Sequence, residues 1–282
     1  MIPRTFAVLL LAMACAPAAE PATWCRFVPE RSDDFAWEND LVAFRTYGPA
    51  LRGKVEDSGV DCWLKRVPYP IIDGWYAGNA AGKSYHVDHG EGHDPYHVGA
   101  SRGCGGTALW QDGRMITPGP YQTWKVEERT PARSVFTLTY RYPAAEGTAP
   151  VEEAKRFTIA LGERFYRCES TFTRGGAPVA DLPVVIGITT HDGKGTPERD
   201  PAGRWMSVWE VIDGSGLGTG VVLPAAADLR VLSEPTKDRS HVIALVRTDA
   251  QGRVALRGGY GWEKAGVTAA AWKAALIAAA AP

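Results

Sequence analysis

The sequence predicts an all-β protein, a large antiparallel β-sandwich that ends in one short C-terminal helix. More than ten short segments rich in β-branched and aromatic residues follow one another, separated by turn residues. No helical pattern lies between these segments, so they need no crossover connections and we expect antiparallel pairing. Residues 268–280 are rich in alanine, and Thr268 is placed to cap a helix there.

Alternation of residue types predicts the individual strands. Residues 135–142 alternate polar side chains with Phe136, Leu138, Tyr140 and Tyr142, which is typical of a strand with one buried face. Residues 183–190 are almost wholly apolar and predict a central strand. The predicted strands are 33–37, 41–45, 61–67, 106–110, 115–117, 121–128, 135–142, 154–160, 165–174, 183–190, 204–212, 220–223, 241–248 and 253–262.

Turn residues separate these strands. Residues 161–164 and 249–252 predict hairpin loops, and the glycine-rich residues 214–218 predict a flexible turn. No internal repeat and no long linker divides the chain. We therefore expect residues 20–282 to form a single catalytic β-sandwich domain.

The beginning of the chain resembles a secretory leader. Arg4 precedes a short apolar run, and small residues follow up to Ala18, so residues 1–19 are predicted to be a signal peptide. Cys15 leaves a lipid-anchored alternative open, although the residues before it fit that pattern poorly. The protein is therefore expected to be periplasmic or secreted, without a membrane span.

Charge and cysteine content narrow the function classes. The 282 residues carry a formal net charge of -1, which argues against nucleic acid as a partner. Four cysteines follow the leader: Cys25, Cys62, Cys104 and Cys168. An even number of cysteines in an oxidising compartment suggests disulfides, and the sequence does not choose among the three pairings.

Residues 85–106 form the most unusual segment of the chain. They contain four of the six histidines, six glycines, three acidic residues and Arg102. No strand or helix periodicity runs through them, so we expect a loop on a rigid scaffold that binds or transforms a substrate. The predicted catalytic residues are His89, His93, Tyr96, His97, Arg102 and His191.

These residue types suit β-elimination on a uronic acid. A cation such as Arg102 or Lys65 would neutralise the carboxylate, a histidine or tyrosine would take the C5 proton, and another would protonate the oxygen that leaves C4. Sugar rings also pack on aromatic side chains in clefts with a few polar groups. The predicted substrate-binding residues are Trp63, Lys65, Trp75, Tyr76, Asp88, Glu91 and Trp110.

A metal site is the second hypothesis for the same loop. His86 and His89 are three residues apart, and His89, Glu91 and His93 alternate, so an extended backbone would place the last three on one face. The predicted metal ligands are His86, His89 and Glu91, for one divalent ion, Ca²⁺ or Zn²⁺. Three other functions stay open at this stage. They are a glycoside hydrolase that uses Asp88 or Glu91, a sugar-binding module, and a mutarotase or epimerase.

Several long motifs carry a family resemblance. They include DDFAWENDLVAFRTYGPAL, DCWLKRVPYPIIDGWY, YHVDHGEGHDPYHVGASRGCGG, ITTHDGKG and WEVIDGSGLGTGVVLP. Together they resemble a secreted bacterial family of unknown-function domains, found in gene neighbourhoods for degrading pectin, ulvan and other uronate polysaccharides. The resemblance implies a galactose-mutarotase-like β-sandwich and a sugar-active role. The family is also similar to an oligosaccharide dehydratase of ulvan breakdown.

Overall fold

The computed structural model describes residues 20–281, so the predicted leader lies outside the described part. Within that part the chain forms nineteen strands and two α-helices, which confirms the predicted all-β class. The elements are β1 (Trp24–Val28), β2 (Asp34–Glu38), β3 (Ala43–Thr46), β4 (Asp61–Lys65), α1 (Ile72–Ala80), β5 (Gly92–His93), β6 (Cys104–Gln111), β7 (Arg114–Ile116), β8 (Thr123–Arg129), β9 (Arg133–Arg141), β10 (Val151–Ala160), β11 (Phe165–Arg174), β12 (Ala177–Pro178), β13 (Pro183–Thr189), β14 (Thr196–Arg199), β15 (Trp205–Ile212), β16 (Ser215–Val222), β17 (Asp228–Leu232), β18 (His241–Arg247), β19 (Arg253–Trp262) and α2 (Ala269–Ala280).

The strands form three sheets with antiparallel neighbours. The first sheet has the order β1-β2-β3-β4-β5, and the third has the order β17-β18-β13-β6-β7. The second sheet is the large one and has nine strands, in the order β14-β15-β16-β19-β11-β10-β9-β8 with β12 beside β11. Hairpin connections account for most of these pairings, as expected where no helix crosses between strands.

Aromatic residues fill the space between the first and the large sheet. Trp37 of β2 lies 5.3 Å from Phe136 and 5.0 Å from Phe157, ring centre to ring centre. Phe44 of β3 meets Tyr166 edge to face at 5.0 Å. Such pairs each contribute about 0.5–1.5 kcal/mol beyond the area they bury. The buried face predicted for β9 is therefore part of this core.

The predicted turn at residues 214–218 is mostly strand. β16 begins at Ser215 and is buried along its whole length, so the prediction was wrong there. Its glycines make room for α2: a Cβ added at Gly218 would lie 2.2 Å from the Trp272 ring, and one at Gly220 2.7 Å from Leu276. These glycines are thus required for the packing of α2 on β16 and do not form a turn.

The two helices differ in how well the sequence predicted them. α2 is the predicted C-terminal helix, and Thr268 accepts a hydrogen bond from the amide of Ala271. α1 was not predicted. The amides of Ile71 and Ile72 at the start of α1 donate hydrogen bonds to the carboxylate of Glu38, which is distant in sequence. Among residues 20–281, neither helix has the length and hydropathy needed to cross a membrane.

Three connections meet at one end of the third sheet. They are the segment between β5 and β6, the turn after β13, and the loop between β17 and β18. The Thr190 amide donates to the Ser240 carbonyl at 3.0 Å, and the Thr189 amide donates to the Gly103 carbonyl at 3.0 Å. These backbone bonds bring together segments that are far apart in sequence.

Candidate functional site

A histidine and an aspartate form the outer part of the site. The Nε2 of His97 lies 3.1 Å from Oδ2 of Asp238, across 141 positions of sequence. The His97 side chain is 53% exposed, whereas that of Asp238 is only 8% exposed. With Asp238 ionised, its oxygen accepts from Nε2–H, and the Nδ1 of a neutral His97 keeps a free lone pair.

Asp238 is itself held in place by a third loop. Its backbone amide donates to the carboxylate of Asp192, 3.0 Å from one oxygen and 3.2 Å from the other. Asp192 directly follows His191, which forms the inner part of the site. The His97–Asp238 pair therefore rests on the turn that carries His191.

His191 binds to both sides of the site. Its Nδ1 lies 2.6 Å from Oε2 of Glu210 on β15, and its Nε2 lies 2.7 Å from the backbone carbonyl of His97. A carbonyl oxygen only accepts, so Nε2 carries a proton, and an ionised Glu210 requires a proton on Nδ1 as well. Although burial opposes the charge, the hydrogen bond to Glu210 raises the pKa of His191. His191 thus bridges the carboxylate of Glu210 and the backbone carbonyl of His97.

The backbone here is strained at several residues. His191 has a φ of 46°, Asp192 of 58° and Asp238 of 62°, all in the left-handed region. Aspartate visits this region in ordinary turns, but a histidine there is uncommon. Non-glycine residues in this conformation gather at functional sites, where the surrounding structure holds them.

Gly99 is the closest neighbour of the outer pair. Its φ is 52°, and an added Cβ would lie 2.2 Å from Oδ2 of Asp238 and 2.8 Å from Nε2 of His97. A glycine is therefore required for the hydrogen bond between these two side chains to form.

Tyr96 completes the group from the inside. Its ring meets the ring of His191 edge to face, with centres 4.9 Å apart. Among the described residues, its buried hydroxyl has no hydrogen-bond partner, and neither has Oε1 of Glu210. Burial, together with the Cys62 and Cys104 thiols, raises the pKa of Tyr96 well above 10. Tyr96 consequently keeps its proton and is suited to donate it. We call Tyr96, His97, His191, Glu210 and Asp238 the His97 site.

His93 is buried, whereas the other three histidines of the loop are exposed. Its Nε2 is 3.2 Å from Oδ2 of the exposed Asp213, and its ring packs 5.7 Å from that of Trp262. Its Nδ1 is buried and has no partner among residues 20–281. No hydrogen bond links it to the His97 site in the described structure.

The predicted carboxylate clamps, Lys65 and Arg102, are both buried. Lys65 donates to Glu38 at 2.6 Å and to two backbone carbonyls, which satisfies its three protons. Arg102 donates to Ser58 and Thr107, and it lies 2% exposed. Both cations already have partners inside the protein, so the carboxylate clamp must lie elsewhere.

The other predicted binding residues mostly support the fold. Trp63 stacks on Trp75 at 5.4 Å, and the Tyr76 hydroxyl donates to Asp34. The Trp75 indole donates to Glu91 at 2.9 Å. Asp88 accepts two hydrogen bonds from Arg66, at 2.6 and 2.9 Å. Partial burial raises the pKa of Asp88, but the hydrogen bond from Arg66 outweighs it and lowers that pKa. Asp88 is therefore a poor proton donor for a hydrolase. Trp110 is the exception, because it is half-buried beside two surface cavities.

The predicted metal site does not assemble. Nδ1 of His86 lies 2.9 Å from the Asp94 carbonyl, Nε2 of His89 lies 3.1 Å from the Ser84 carbonyl, and Glu91 accepts from Tyr69 and Trp75. Within residues 20–281, no three His, Cys, Asp or Glu side chains are arranged to hold a metal ion. The glycines between the predicted ligands turn the chain instead of extending it, which separates their side chains.

The predicted disulfides were also wrong. All four cysteines of the described chain are buried free thiols. Burial raises the pKa of Cys25 to about 11 and that of Cys168 to about 12, so neither is a reactive thiolate at neutral pH.

Arg45 forms a second, fully buried cluster. Its guanidinium faces three carboxylates, Asp61 at 2.7 Å, Asp94 at 3.1 Å and Asp34 at 3.5 Å. One oxygen of each aspartate is buried without a partner within the described residues. Burial raises the pKa of Asp34 to about 6 and that of Asp94 well above its usual value. One guanidinium does not balance three carboxylates, so protons take up part of the excess charge.

Sequence reasoning found Tyr96, His97 and His191 but missed their partners. Asp238 lies three residues before His241, Glu210 lies just before the glycine-rich residues 214–218, and Arg45 lies in an ordinary strand, so all three are far from residues 85–106 in sequence. In a single sequence these residues carry no pattern that separates them from solvent-exposed charges.

Comparisons with known proteins give a family, one relative in sequence and one similar solved structure. Residues 13–281 match a family described as a domain of unknown function (DUF4861). An uncharacterized protein, P7, from Formosa agariphila is 38% identical over 268 residues, a match that covers 89% of this chain and 65% of that protein. The chain thus spans less than two thirds of that relative's length. The alpha-galactosidase from Lactobacillus brevis is a solved structure with a TM-score of 0.41 and 10% identity, over 83% of this chain and 40% of that one.

Proposed function

The chain belongs to the DUF4861 family of domains of unknown function, and we propose that it is a carbon–oxygen lyase or dehydratase that acts on uronic-acid oligosaccharides. The observation that carries this proposal is the His97 site, where an oriented histidine and a protonated tyrosine are consecutive residues. The substrate class rests on the resemblance of the motifs to uronate-degrading proteins. An exported location, periplasmic or secreted, is part of the same proposal and rests on the leader-like residues 1–19.

His97 is the proposed base. Asp238 holds its Nε2–H and leaves Nδ1 to accept a proton, and the half-exposed ring is within reach of a substrate. The His191 ring fixes the His97 backbone from the other side through its Nε2–H. A histidine that is positioned in this way takes a proton efficiently from carbon next to a carboxylate.

Elimination then proceeds with a balanced transfer of protons and electrons. Nδ1 of His97 takes the C5 proton, the C5–H electrons form the C4–C5 double bond, and the C4–O bond breaks. The Tyr96 hydroxyl donates its proton to the leaving oxygen, which departs as water in a dehydration or as a sugar hydroxyl in chain cleavage. Tyr96 suits this role because its raised pKa keeps it protonated until the leaving oxygen gains charge.

The carboxylate clamp is reassigned to Arg239. It follows Asp238 directly and is exposed, and among the described residues its guanidinium has no hydrogen-bond or ion-pair partner. A free guanidinium beside the base binds a carboxylate with two parallel hydrogen bonds and lowers the cost of removing the C5 proton.

Mass spectrometry of uronate oligosaccharides tests the proposal. Loss of water, or cleavage with an unsaturated end that absorbs ultraviolet light, supports elimination; gain of water indicates hydrolysis and overturns it. If the mass of every uronate oligosaccharide tested stays unchanged, the lyase proposal is also overturned, and a sugar-binding protein or a mutarotase is indicated.

Site variants connect the activity to the residues. We expect His97→Gln and Asp238→Asn to lower turnover by about 10²-fold or more, and Tyr96→Phe by a similar factor. Asp181→Asn is the matched control, because Asp181 is an exposed aspartate with a φ of 56° outside the site. If the site variants and the control retain equal activity, the assignment of roles is wrong.

A further inference from the structure

A surface cavity adjoins the proposed site on the outer face of the third sheet. It has a volume of about 570 Å³ and is lined by residues from β6, β7 and the loop between β17 and β18. Arg239, which follows Asp238 of the His97 site in sequence, is one of the lining residues, as are Trp110 and Arg114. The cavity is therefore lined by the residue next to the hydrogen-bond partner of the proposed base.

Trp110 separates this cavity from a second one. The same indole lines a neighbouring cavity of about 990 Å³, and it packs on the small buried cluster formed by Ala108, Val185 and Ile243. A half-buried indole that rests on a rigid sheet and borders open space is a flat apolar platform. Pyranose rings present apolar faces that fit such a platform, and clefts of this kind bind sugars through few polar groups.

The charged groups around the 570 Å³ cavity favour an anion. Arg114 and Arg239 are exposed, and neither guanidinium has a protein partner in the part of the chain that the structure describes. Glu234 is the acidic residue among the lining residues, so the cavity carries one excess positive charge. Free guanidinium groups select carboxylates or sulfates, which accept two parallel hydrogen bonds.

Distance along the sheet sets the size of the ligand. β6 begins at Cys104 and runs to Trp110; the preceding Gly103 accepts from the Thr189 amide at the end of the sheet that carries the His97 site. Six residues of extended strand span about 20 Å, so a single sugar does not reach from this end of the sheet to Trp110. An oligosaccharide does.

We infer that Trp110 and Arg114 form a remote subsite that binds an anionic sugar unit of an oligosaccharide whose reacting unit lies at His97. This inference rests on the proposed function for the position of the reacting unit, whereas the binding of the anionic sugar does not depend on turnover. The ligand class is an acidic oligosaccharide of about four units or longer, matched to the span of about 20 Å.

Binding and kinetics with two chain lengths test the subsite. Trp110→Ala and Arg114→Gln would be compared with the wild type on uronate disaccharides and tetrasaccharides from pectin and from ulvan, by calorimetry and by steady-state kinetics. We expect the Kd and the KM for the tetrasaccharide to rise about tenfold, with kcat unchanged and with disaccharide kinetics within about twofold of wild type. With a carboxyl-reduced tetrasaccharide, Arg114→Gln should have the same Kd and KM as wild type, whereas Trp110→Ala should still raise both about tenfold.

Matched controls separate the subsite from general damage. Trp124→Ala removes a tryptophan that is 45% exposed on β8, and Arg174→Gln removes an exposed arginine at the end of β11. Circular dichroism and thermal unfolding confirm that each variant is folded. Equal tetrasaccharide affinity in Trp110→Ala, Arg114→Gln and the controls would overturn the inference, as would equal losses on both chain lengths.

The outcomes also distinguish this inference from the proposed function. If no uronate oligosaccharide is converted but Trp110→Ala still weakens tetrasaccharide binding, the lyase proposal fails and the subsite stands. If the substrate is converted but Trp110→Ala binds the tetrasaccharide as tightly as wild type, the subsite fails and the lyase proposal stands.

Discussion

Replacing Gly99 with alanine should disable the His97 site while the rest of the fold persists. The added Cβ would lie 2.2 Å from Oδ2 of Asp238 and 2.8 Å from Nε2 of His97, distances at which both side chains must move apart. The 3.1 Å hydrogen bond between them would then be lost, and with it the orientation of the proposed base. The left-handed conformation at Gly99 adds a cost of about 1–2 kcal/mol for any residue with a Cβ.

A matched variant isolates the effect of the clash. Gly82 has a φ of 87°, and nothing lies within 4 Å of a Cβ added there, so Gly82→Ala carries the backbone cost alone. Urea unfolding should show that Gly82→Ala loses about 1–2 kcal/mol of unfolding free energy. Gly99→Ala should lose more than this control, by about 1–3 kcal/mol, because two polar groups give up a partly buried hydrogen bond.

Turnover gives the sharper comparison. We expect Gly82→Ala to keep wild-type activity on uronate oligosaccharides and Gly99→Ala to lose about 10²-fold or more, similar to Asp238→Asn. The double variant Gly99→Ala/Asp238→Asn should be little worse than either single variant, since both remove the same interaction. Wild-type turnover in Gly99→Ala, or fully additive losses in the double variant, would refute the assignment of the His97–Asp238 pair.

Two further predictions concern buried groups. Burial raises the pKa of Asp34 to about 6, so Asp34 contributes stability that is fully present below its unfolded pKa and is lost as the pH rises through about 6. Between about pH 4 and about pH 7, the free energy of unfolding in urea should therefore fall less in Asp34→Asn than in wild type, by up to about 3 kcal/mol. An equal fall in both proteins would contradict the assignment of the Arg45 cluster. Alkylation without reductant should label Cys25, Cys62, Cys104 and Cys168 in unfolded protein and none of them in folded protein, as detected by mass spectrometry; any pair of these residues that stays unlabelled after unfolding would indicate a disulfide that the structure lacks.

The strands that the sequence predicted well are those whose pattern is set locally. β9 and β10 alternate buried and exposed residues, and that alternation is visible in any window of the sequence. α1 and β16 were missed because distant residues decide them. Glu38 satisfies the amides at the start of α1 from 33 positions away, and the glycines of β16 are explained by Trp272, which lies three strands later in the chain.

The site shows the same division within a single loop. In its first part, Tyr85 accepts from Arg31, and Asp94 pairs with the buried Arg45. Asp88 and Glu91 are held by Arg66 and Trp75 in the same way. The acidic residues and histidines that made residues 85–94 look catalytic therefore anchor the loop to the first sheet or lie in solvent.

Anchoring of the loop at Asp94 fixes the positions of Tyr96 and His97. Asp94 is fixed by Arg45, and Tyr96 and His97 follow within three residues, so their positions are set before they meet His191 and Asp238. A mobile loop would lose much of its binding free energy in ordering these groups, whereas a loop fixed at Asp94 has met that cost during folding. On this reasoning the buried excess of carboxylates around Arg45 is tolerated because it holds the segment that carries the proposed acid and base. The titration of Asp34 and the activity of the His97 site should then change together when Arg45 is replaced by methionine, although these groups share no direct contact.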